Sequence, residues 1–301
     1  MSLSISEAAA KIRAGGLAAF PTETVYGLGA NALDAAAVQK IYELKGRPAT
    51  SPLIVHVASI EMAREIVAEW PPLAQELAQR WWPGPLTLVL PKKPVIPDIV
   101  TAGLPTVGVR MPNHPIALEL IREAGVPIAA PSANRFTGLS PTTAEHVREA
   151  FGDAVAVLDG GPATVGIEST VVAIEDGKLK LLRPGMISFE DVEQHVLEGP
   201  AHASPGMHAR HYSPRTRLFL VCKPKELPDR SGAYVWYRKS GLVCRSVRMP
   251  VEPDAYAARL YAVLHELDAE KWPWIGVEAP PDTPAWAAIT DRLTRAAQGG
   301  A

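Results

Sequence analysis

The chain has 301 residues, of which 47% are hydrophobic and 21% charged, and its formal net charge at pH 7 is −2. This composition is typical of a folded globular protein with one large core and a smaller one, and it excludes a disordered chain. The nearly neutral balance also excludes a protein that binds nucleic acid mainly through its overall charge, so any anion site must be local.

Cysteine content and the N-terminal sequence indicate the compartment. The chain contains two cysteines, Cys222 and Cys244, without a Cys-x-x-Cys pair, so neither a disulfide framework nor a cysteine-based zinc site is predicted. Residues 1–13 lack a basic stretch followed by an apolar core, and no apolar run reaches the ~20 residues of a membrane helix. We therefore expect a cytoplasmic protein without a membrane span.

The first predicted elements are a helix, a strand and a polar loop. Ser6 can cap a short helix that ends at a Gly-Gly pair, and the apolar run 17–20 that follows is typical of a strand. The polar turn 22–24 leads into residues 25–29, which are predicted to be a loop because of their glycines and the preceding proline. Asp34 begins a second helical pattern.

From residue 53 onwards, apolar runs alternate with amphipathic segments. Buried strands are predicted at 53–57, 86–90, 107–109, 128–130, 155–158 and 170–174. Helices are predicted near 60–69, 73–82, 114–124 and 143–151. The alternation favours an α/β layer architecture, and the sequence Glu-Asp-Gly-Lys at 175–178 is typical of a hairpin turn, so we expect a mixed sheet with flanking helices.

The composition changes between residues 198 and 214, where helix and strand breakers replace the periodic pattern. We therefore predict a first domain at 1–197, a linker at 198–217 and a small C-terminal α/β domain at 218–301. In this last domain, strands are expected near 218–222, 233–237 and 274–277, and helices near 254–269 and 284–297.

Several loops that follow predicted strands carry hydroxyl or basic residues. Ligands of open α/β sheets gather at the carboxyl ends of the strands, so we expect these loops to form one site. They comprise Thr22-Glu23-Thr24, Lys45-Gly46-Arg47 with Ser51, Arg110-Met111-Pro112, Ser132-Ala133-Asn134 with Ser140-Pro141-Thr142, Gly166 to Thr170, and Arg183-Pro184-Gly185.

Each basic residue of these loops could be an ordinary solvated surface charge. Together, however, Lys45, Arg47, Arg110 and Arg183 can focus positive potential in one cleft, as phosphates and carboxylates require. Arg110 is assigned to a carboxylate because its planar guanidinium can hold both oxygens.

The hydroxyl residues have two interpretations of similar weight. Ser140 and its neighbours resemble a helix start, with a proline and Glu145 well placed, so Ser132, Asn134 and Ser140 could be caps and turn formers. The same geometry could bind phosphate, since free N–H groups at a helix start and short hydroxyls form an anion site.

Other short motifs are weak. Gly27-x-Gly29-x-x-Ala32 resembles a dinucleotide fingerprint but lacks a preceding strand, and the usual phosphate loop and the Gly-x-Ser-x-Gly elbow of hydrolases are missing. His208-x-x-His211 lacks companion ligands for zinc, so a flexible linker histidine is the favoured interpretation. His56, on an apolar strand, is by default a hydrogen-bonded core histidine.

At these same loops the chain closely resembles the threonylcarbamoyl-AMP synthase family, whose catalytic unit is the YrdC-type domain. The matching segments occur in the family's order: FPTETVYGLGANA from Phe20, KGRP from Lys45, SPLIVHV from Ser51, WWPGPLTLVL from Trp81, VGVRMPNHP from Val107, PSAN from Pro131, SPTTAEHV from Ser140, GGPATVGIESTVV from Gly160 and LLRPGMIS from Leu181. SPGMHARHYSP from Ser204 resembles the linker of the long form, and the sequence that follows resembles its Rossmann-like C-terminal domain.

The resemblance implies a nucleotidyltransferase that converts L-threonine, bicarbonate and ATP, with Mg²⁺, into threonylcarbamoyl-AMP and pyrophosphate for modification of adenosine 37 in tRNA. It implies contacts to L-threonine from Thr24, His56, Arg110, Ala130 and either Ser169 or Thr170. It implies contacts to ATP from Lys45, Arg47, Ser51, Thr106, Ser132, Asn134, Ser140, Arg183 and Tyr212. No protein ligand to the metal is predicted, and partners are the downstream tRNA-modifying machinery and, weakly, tRNA.

Two alternative functions compete with the one that the resemblance implies. A non-catalytic module for tRNA or double-stranded RNA would need more positive charge than the modest group of Arg210, Arg215 and Arg217. The carbamoyl-transfer machinery of hydrogenase maturation embeds a similar domain, but the paired Cys-x-x-Cys zinc motifs of that machinery are missing here.

Overall fold

A computed structural model describes residues 3–175, 177–188, 193–194, 211–241 and 243–298. Its helices are α1 (Ile5–Arg13), α2 (Ala35–Lys45), α3 (Ile60–Ile66), α4 (Pro72–Trp81), α5 (Asp98–Thr101), α6 (Pro115–Ala124), α7 (Ala144–Phe151), α8 (Pro253–Ala269) and α9 (Ala287–Ala297). Its strands are β1 (Ala18–Phe20), β2 (Gly27–Asn31), β3 (Ile54–His56), β4 (Leu86–Pro91), β5 (Thr106–Arg110), β6 (Ile128–Ala129), β7 (Ala156–Val157), β8 (Thr170–Glu175), β9 (Lys178–Arg183), β10 (Glu193–Gln194), β11 (Leu218–Val221), β12 (Ala233–Trp236), β13 (Arg245–Arg248) and β14 (Ile275–Glu278).

The strands up to β10 form one large mixed sheet in the order β10-β9-β8-β4-β5-β3-β6-β2-β1-β7. β3 is parallel to β5, whereas β4 is antiparallel to β5, and β8 and β9 form the predicted hairpin. Apolar residues of α2, α3, α4 and α7 pack in one core, and those of α1 and α6 pack in another. The predicted α/β architecture with a mixed sheet and flanking helices is therefore confirmed.

Two helix starts test the capping predictions. Asp34 is the N-cap of α2, where its side chain accepts hydrogen bonds from the backbone N–H groups of Ala36 and Ala37. The prediction that Ser6 caps α1 is wrong, because Ser4 does so. Ser4 and Glu7 form a capping box in which each side chain bonds the backbone N–H of the other residue.

The glycine-rich segment that was predicted to be a loop at 25–29 is largely strand β2. Its glycines serve close packing rather than a turn. A Cβ atom on Gly29 would lie 2.8 Å from side-chain atoms of both Ile128 and Phe20. Glycine at this position therefore lets three adjacent strands approach closely. Because Gly27 and Gly29 lie within a strand, they do not form the dinucleotide-binding turn that the fingerprint would require.

A second sheet of four parallel strands, in the order β11-β14-β12-β13, occupies the C-terminal region. Its apolar residues pack with α8 and α9 in a core of their own, as expected for a compact α/β unit. Strand β13 was not predicted. The same core includes Val25, Leu139, Ile167 and Tyr212 from loops next to the large sheet. The C-terminal unit is therefore packed against those loops.

Cys222 and Cys244 are free and exposed. Within the described ranges, no helix combines the length and apolarity needed to cross a bilayer. The predicted domain division at 197 and 217 stays a prediction, since residues 195–210 lie outside the described ranges.

Candidate functional site

A cavity of about 520 Å³, counting the part open to solvent, lies over one face of the large sheet. The residues that line it come from widely separated parts of the chain: Thr22, Thr24, Val25, Gly27, Arg47, Ile54, His56, Arg110, Ala130, Pro131, Ser132, Glu168, Ser169, Arg183, His211 and Tyr212.

Strand register explains why these residues meet. His56 of β3 is the register partner of Arg110 of β5, and Ala130, which donates its N–H to the carbonyl of Ile54, follows β6. Register partners project from the same face of a sheet. His56, Arg110 and Arg183 each end a strand, as expected, but Gly27 begins β2 and Ser169 precedes β8, so both carboxyl and amino ends of strands contribute to the site.

Arg110 is held in place by three groups. Its Nε donates to the Gly84 carbonyl (3.2 Å) and one terminal nitrogen donates to Thr24 Oγ1 (2.9 Å). The other terminal nitrogen lies 2.7 Å from Glu23 Oε1 in a buried ion pair. This last contact is close but not aligned as a hydrogen bond, since both atoms lack a hydrogen-bond partner. Arg110 is thus pre-oriented with its charge balanced by Glu23.

His56 is a buried, neutral imidazole. Burial lowers its pKa to about 3, and the positive charge of Arg110 contributes in the same direction. Its Nδ1 has no hydrogen-bond partner among the residues that the structure describes. A neutral imidazole can donate from one nitrogen and accept at the other, so His56 is suited to bind a hydroxyl or an amine.

Arg47 and Lys45 lie at the end of α2. The guanidinium of Arg47 donates to Ser51 Oγ (2.5 Å) and to the Pro52 carbonyl (3.0 Å), and burial lowers its pKa to about 10. Lys45 does not line the cavity. Its ammonium donates to the carbonyls of Ser132 (2.6 Å) and Asn134, and burial lowers its pKa well below the usual range.

The segment before β8 places Ser169 in the cavity and Thr170 outside it. Ser169 Oγ shares a hydrogen bond with Thr87 (2.8 Å) and accepts one from Arg183 (3.0 Å). The hydroxyl of Thr170 instead bonds the carbonyl and N–H of Ile187 at 3.0 and 3.1 Å. Of the two alternatives, Ser169 is therefore the one that faces the cavity.

The segment from Ser132 to Ser140 contributes mostly through its backbone. Ser132 lines the cavity, whereas the side-chain amide of Asn134 donates to the Gly138 carbonyl and fixes the loop. Ser140 does not cap α7, because Thr143 is the N-cap and its side chain accepts a hydrogen bond from the N–H of His146. The Ser140 hydroxyl is fully buried and donates to Glu168.

The remaining predicted residues differ in position. Thr106 begins β5 and lies four residues before Arg110. Four residues of a strand span about 13 Å. Thr106 does not line the cavity. Tyr212 does, with 1% of its surface exposed and a φ of 59°. His211, which was expected to be a flexible linker histidine, is buried and packs edge-on against Tyr212 and Phe136. His208 lies outside the described residues.

Two buried carboxylates, Glu23 and Glu168, were not predicted as site residues. Both lie in loops that the sequence singled out, but their partners are distant in the chain. Arg110 follows Glu23 at a separation that no local pattern reveals, and Arg292 lies 124 residues after Glu168. No sequence signal available in one chain marks either pair.

Two of the three basic residues near the linker have partners within the described ranges. Arg215 bonds Asp268 at 3.0 Å, and Arg217 stacks on Phe219 with its guanidinium 4.8 Å from the ring centroid. Arg210 lies outside the described residues. The cavity, with three buried guanidinium groups beside a neutral histidine and hydroxyls, is therefore the site suited to anionic ligands.

The chain is similar to known proteins over nearly its whole length. Residues 10–185 match a family model described as Telomere recombination, and residues 173–298 match one described as Threonylcarbamoyl-AMP synthase, C-terminal domain. The threonylcarbamoyl-AMP synthase of Bacillus subtilis (strain 168) is 43% identical over 98% of this chain and 93% of its own length.

Two solved structures are similar over nearly the whole chain. The crystal structure of P. abyssi Sua5 complexed with L-threonine has a TM-score of 0.90 and 39% identity, covering 97% of this chain and 94% of that one. A P. abyssi Sua5 variant, with a histidine and the following tyrosine replaced by alanine, has a TM-score of 0.89 and 38% identity, covering 97% and 92%.

Proposed function

Since the chain belongs to the threonylcarbamoyl-AMP synthase family, we propose that it converts L-threonine, bicarbonate and ATP into threonylcarbamoyl-AMP and pyrophosphate. The observation that carries this proposal is the buried cavity in which Arg110 and Thr24 lie beside a neutral His56, with Arg47 and Arg183 lining the same space. Such a cavity can hold two anionic substrates at once.

L-threonine would bind at Arg110. The pre-oriented guanidinium would hold the amino-acid carboxylate, while Thr24 and His56 would bind the hydroxyl and the amine. Ala130 would contact the methyl group, and Ser169, rather than Thr170, would complete this side of the cavity. A buried site built to bond a hydroxyl discriminates strongly against analogues that lack it.

ATP would bind against Arg47, Arg183, Ser132 and Tyr212. Two further predicted residues would act behind this surface: Ser51 holds Arg47, and Lys45 holds the carbonyls of the loop that carries Ser132. Asn134 and Ser140 support the same loop by bonds within the protein. Thr106 is the predicted contact that this geometry supports least.

The chemistry needs no protein nucleophile. The threonine amine would form a C–N bond with the carbon of bicarbonate, with loss of water. An oxygen of the resulting carboxylate would then attack the α-phosphorus of ATP, and the bond to the β-phosphate would break to release pyrophosphate. On this mechanism the protein is a nucleotidyltransferase that acts by positioning and by charge stabilisation.

Mg²⁺ would enter as the complex with ATP. In the described part of the chain no group of three acidic, histidine or cysteine side chains could hold a metal ion. With ATP bound, Mg²⁺ would offset the charge of the phosphates together with Arg47 and Arg183.

The product is a mixed anhydride that water destroys. The buried residues His211 and Tyr212 would help to exclude water from it. We propose that a cytoplasmic tRNA-modifying transferase accepts the product for adenosine 37, with at most weak contact between this protein and tRNA.

The test is pyrophosphate release by the purified protein with ATP and Mg²⁺, while L-threonine or bicarbonate is omitted in turn and L-serine replaces L-threonine in a parallel reaction. Release that requires both co-substrates and is weaker with serine is expected. If the folded protein releases no pyrophosphate in any mixture but binds RNA, the non-catalytic alternative holds instead.

A further inference from the structure

A buried ion pair connects the C-terminal unit to the cavity. Glu168, in the loop before β8, accepts a hydrogen bond at 2.7 Å from the Nε of Arg292, which lies on α9. The Arg292 side chain is fully buried and that of Glu168 is 8% exposed. The cost of burying two charges is recovered only where the geometry and the further hydrogen bonds are good.

The remaining bonds of Glu168 meet this condition. Its second carboxylate oxygen accepts from the Ser140 hydroxyl, and Tyr261 of α8 donates to the same oxygen as Arg292 at 3.2 Å. Burial by itself raises the pKa of Glu168, but Arg292 and Arg183 outweigh burial, so the pKa is lowered and the carboxylate is charged. Two helices of the C-terminal unit thus fix one cavity-lining side chain.

Arg292 also contacts a second residue of the cavity wall. Its guanidinium carbon lies 5.0 Å from the centroid of the Tyr212 ring, within the range of a cation–π interaction. Tyr212 has a left-handed backbone conformation, which costs free energy for a tyrosine, so its position depends on surrounding contacts. Arg292 itself does not line the cavity.

We propose that Arg292 is a positioning residue for the nucleotide: it holds Tyr212 directly, and it holds Ser140 through Glu168. Ser169, on the threonine side, is held separately by Thr87 and Arg183. The C-terminal unit thereby takes part in the reaction through a guanidinium that never touches substrate. This inference rests on the proposed function, because it concerns the ATP side of the same site.

A merely structural role makes a different prediction. If Arg292 only joins the two units, its loss should lower stability and affect both substrates alike. If it positions Tyr212 and Ser140, its loss should weaken the use of ATP, while L-threonine, bound around Arg110, should be nearly unaffected.

The test uses the full chain with Arg292→Met, which keeps the length of the side chain but removes its charge. We expect the KM for ATP to rise about ten- to a hundredfold, as a small displacement of positioning groups can cause. The dissociation constant for L-threonine, measured by calorimetry without ATP, should change by less than about twofold.

Three further variants separate the roles. Arg292→Lys keeps the charge but not the planar fork, so it should restore part of the ATP use. Glu168→Gln combined with Arg292→Met should be no worse than Arg292→Met alone, since both act through one pair. Leu293→Ala, which removes a buried apolar neighbour from the same core, should lower the melting temperature without changing the KM for ATP.

An unchanged KM for ATP in a folded Arg292→Met protein would overturn the inference, as would equal losses for both substrates or an equal effect of Leu293→Ala. Failure of the proposed function is distinguishable, because the unmodified protein would then release no pyrophosphate. In that case, binding of an unreactive ATP analogue to both proteins still compares the nucleotide site.

Discussion

Replacing Glu23 by glutamine tests whether this carboxylate is the resident counter-ion of Arg110. The side chains are 5% and 4% exposed, and the nearest oxygen and nitrogen are 2.7 Å apart. Removing one partner of a buried ion pair costs about 3–5 kcal/mol, because the other charge remains buried and uncompensated. For a protein of this size, that free energy corresponds to a fall in melting temperature of about 5–8 °C.

L-threonine should reverse part of this loss. Arg110 keeps its bonds to Thr24 and to the Gly84 carbonyl in the variant, so its position should persist. The substrate carboxylate would then meet a guanidinium without a competing carboxylate. We therefore expect L-threonine to bind Glu23→Gln at least as tightly as the unmodified protein, although the variant is less stable.

Thermal unfolding with and without L-threonine measures both effects, and calorimetry gives the affinity. Glu175→Gln is the matched control, because Glu175 pairs with Lys180 at the surface and should contribute less than about 1 kcal/mol. An unchanged melting temperature for Glu23→Gln would refute the counter-ion argument. Loss of L-threonine binding would instead show that Glu23 is needed to orient Arg110.

Three further predictions follow from the same contacts. Because burial and Arg110 lower the pKa of His56 to about 3, activity between pH 6 and 8 should show no inflection from His56. The contribution of His56 to stability should be full above pH 6.5 and should fall as the pH drops towards 3. Acid unfolding of His56→Gln, compared with the unmodified protein, measures this contribution. Thr24→Val removes a hydroxyl that bonds Arg110, so kcat/KM for L-threonine should fall about tenfold, while the KM for ATP in the same assay stays constant. Lys45→Met removes the bonds to two loop carbonyls, so the KM for ATP should rise more than the KM for L-threonine; equal changes would contradict this positioning role.

Strong local patterns predicted most elements of the fold. Asp34 caps α2 as predicted. Continuous apolar runs such as that of β4 form buried strands, because both faces of the strand are covered. The errors arise where a residue's role depends on a distant neighbour. β2 was predicted to be a loop because its glycines are typical of loops. Gly29 is instead required by its close contact with Ile128, which is far along the chain and invisible to a local pattern. β13 was missed because it lies at the edge of a sheet, where its residues alternate between half-buried and exposed and form no apolar run.

The candidate site likewise combines residues that local patterns identify with residues that only a distant partner explains. Arg110 was selected because a guanidinium after a predicted strand can hold a carboxylate, whereas His56 was assigned only through the resemblance to a family; strand register places the two side by side. The resemblance to a family supplied residues that pattern alone did not. Neither route assigned Glu23 or Glu168, since a buried carboxylate can be understood only with its partner. Ser140 illustrates the consequence, because its hydroxyl donates to Glu168 and so is not free to donate to a phosphate in this arrangement.

The two carboxylates explain how a cavity for two anions can remain folded before they bind. Glu23 balances Arg110, and Glu168 balances Arg292, which is outside the cavity wall. Arg47 donates to neutral oxygens of Ser51 and Pro52. Bonds to neutral groups are weaker competitors for a guanidinium than a carboxylate is. In the proposed binding mode, the phosphates of ATP would displace little at Arg47, whereas L-threonine would share Arg110 with Glu23. This difference should make the affinity for L-threonine more sensitive to charge changes near Arg110.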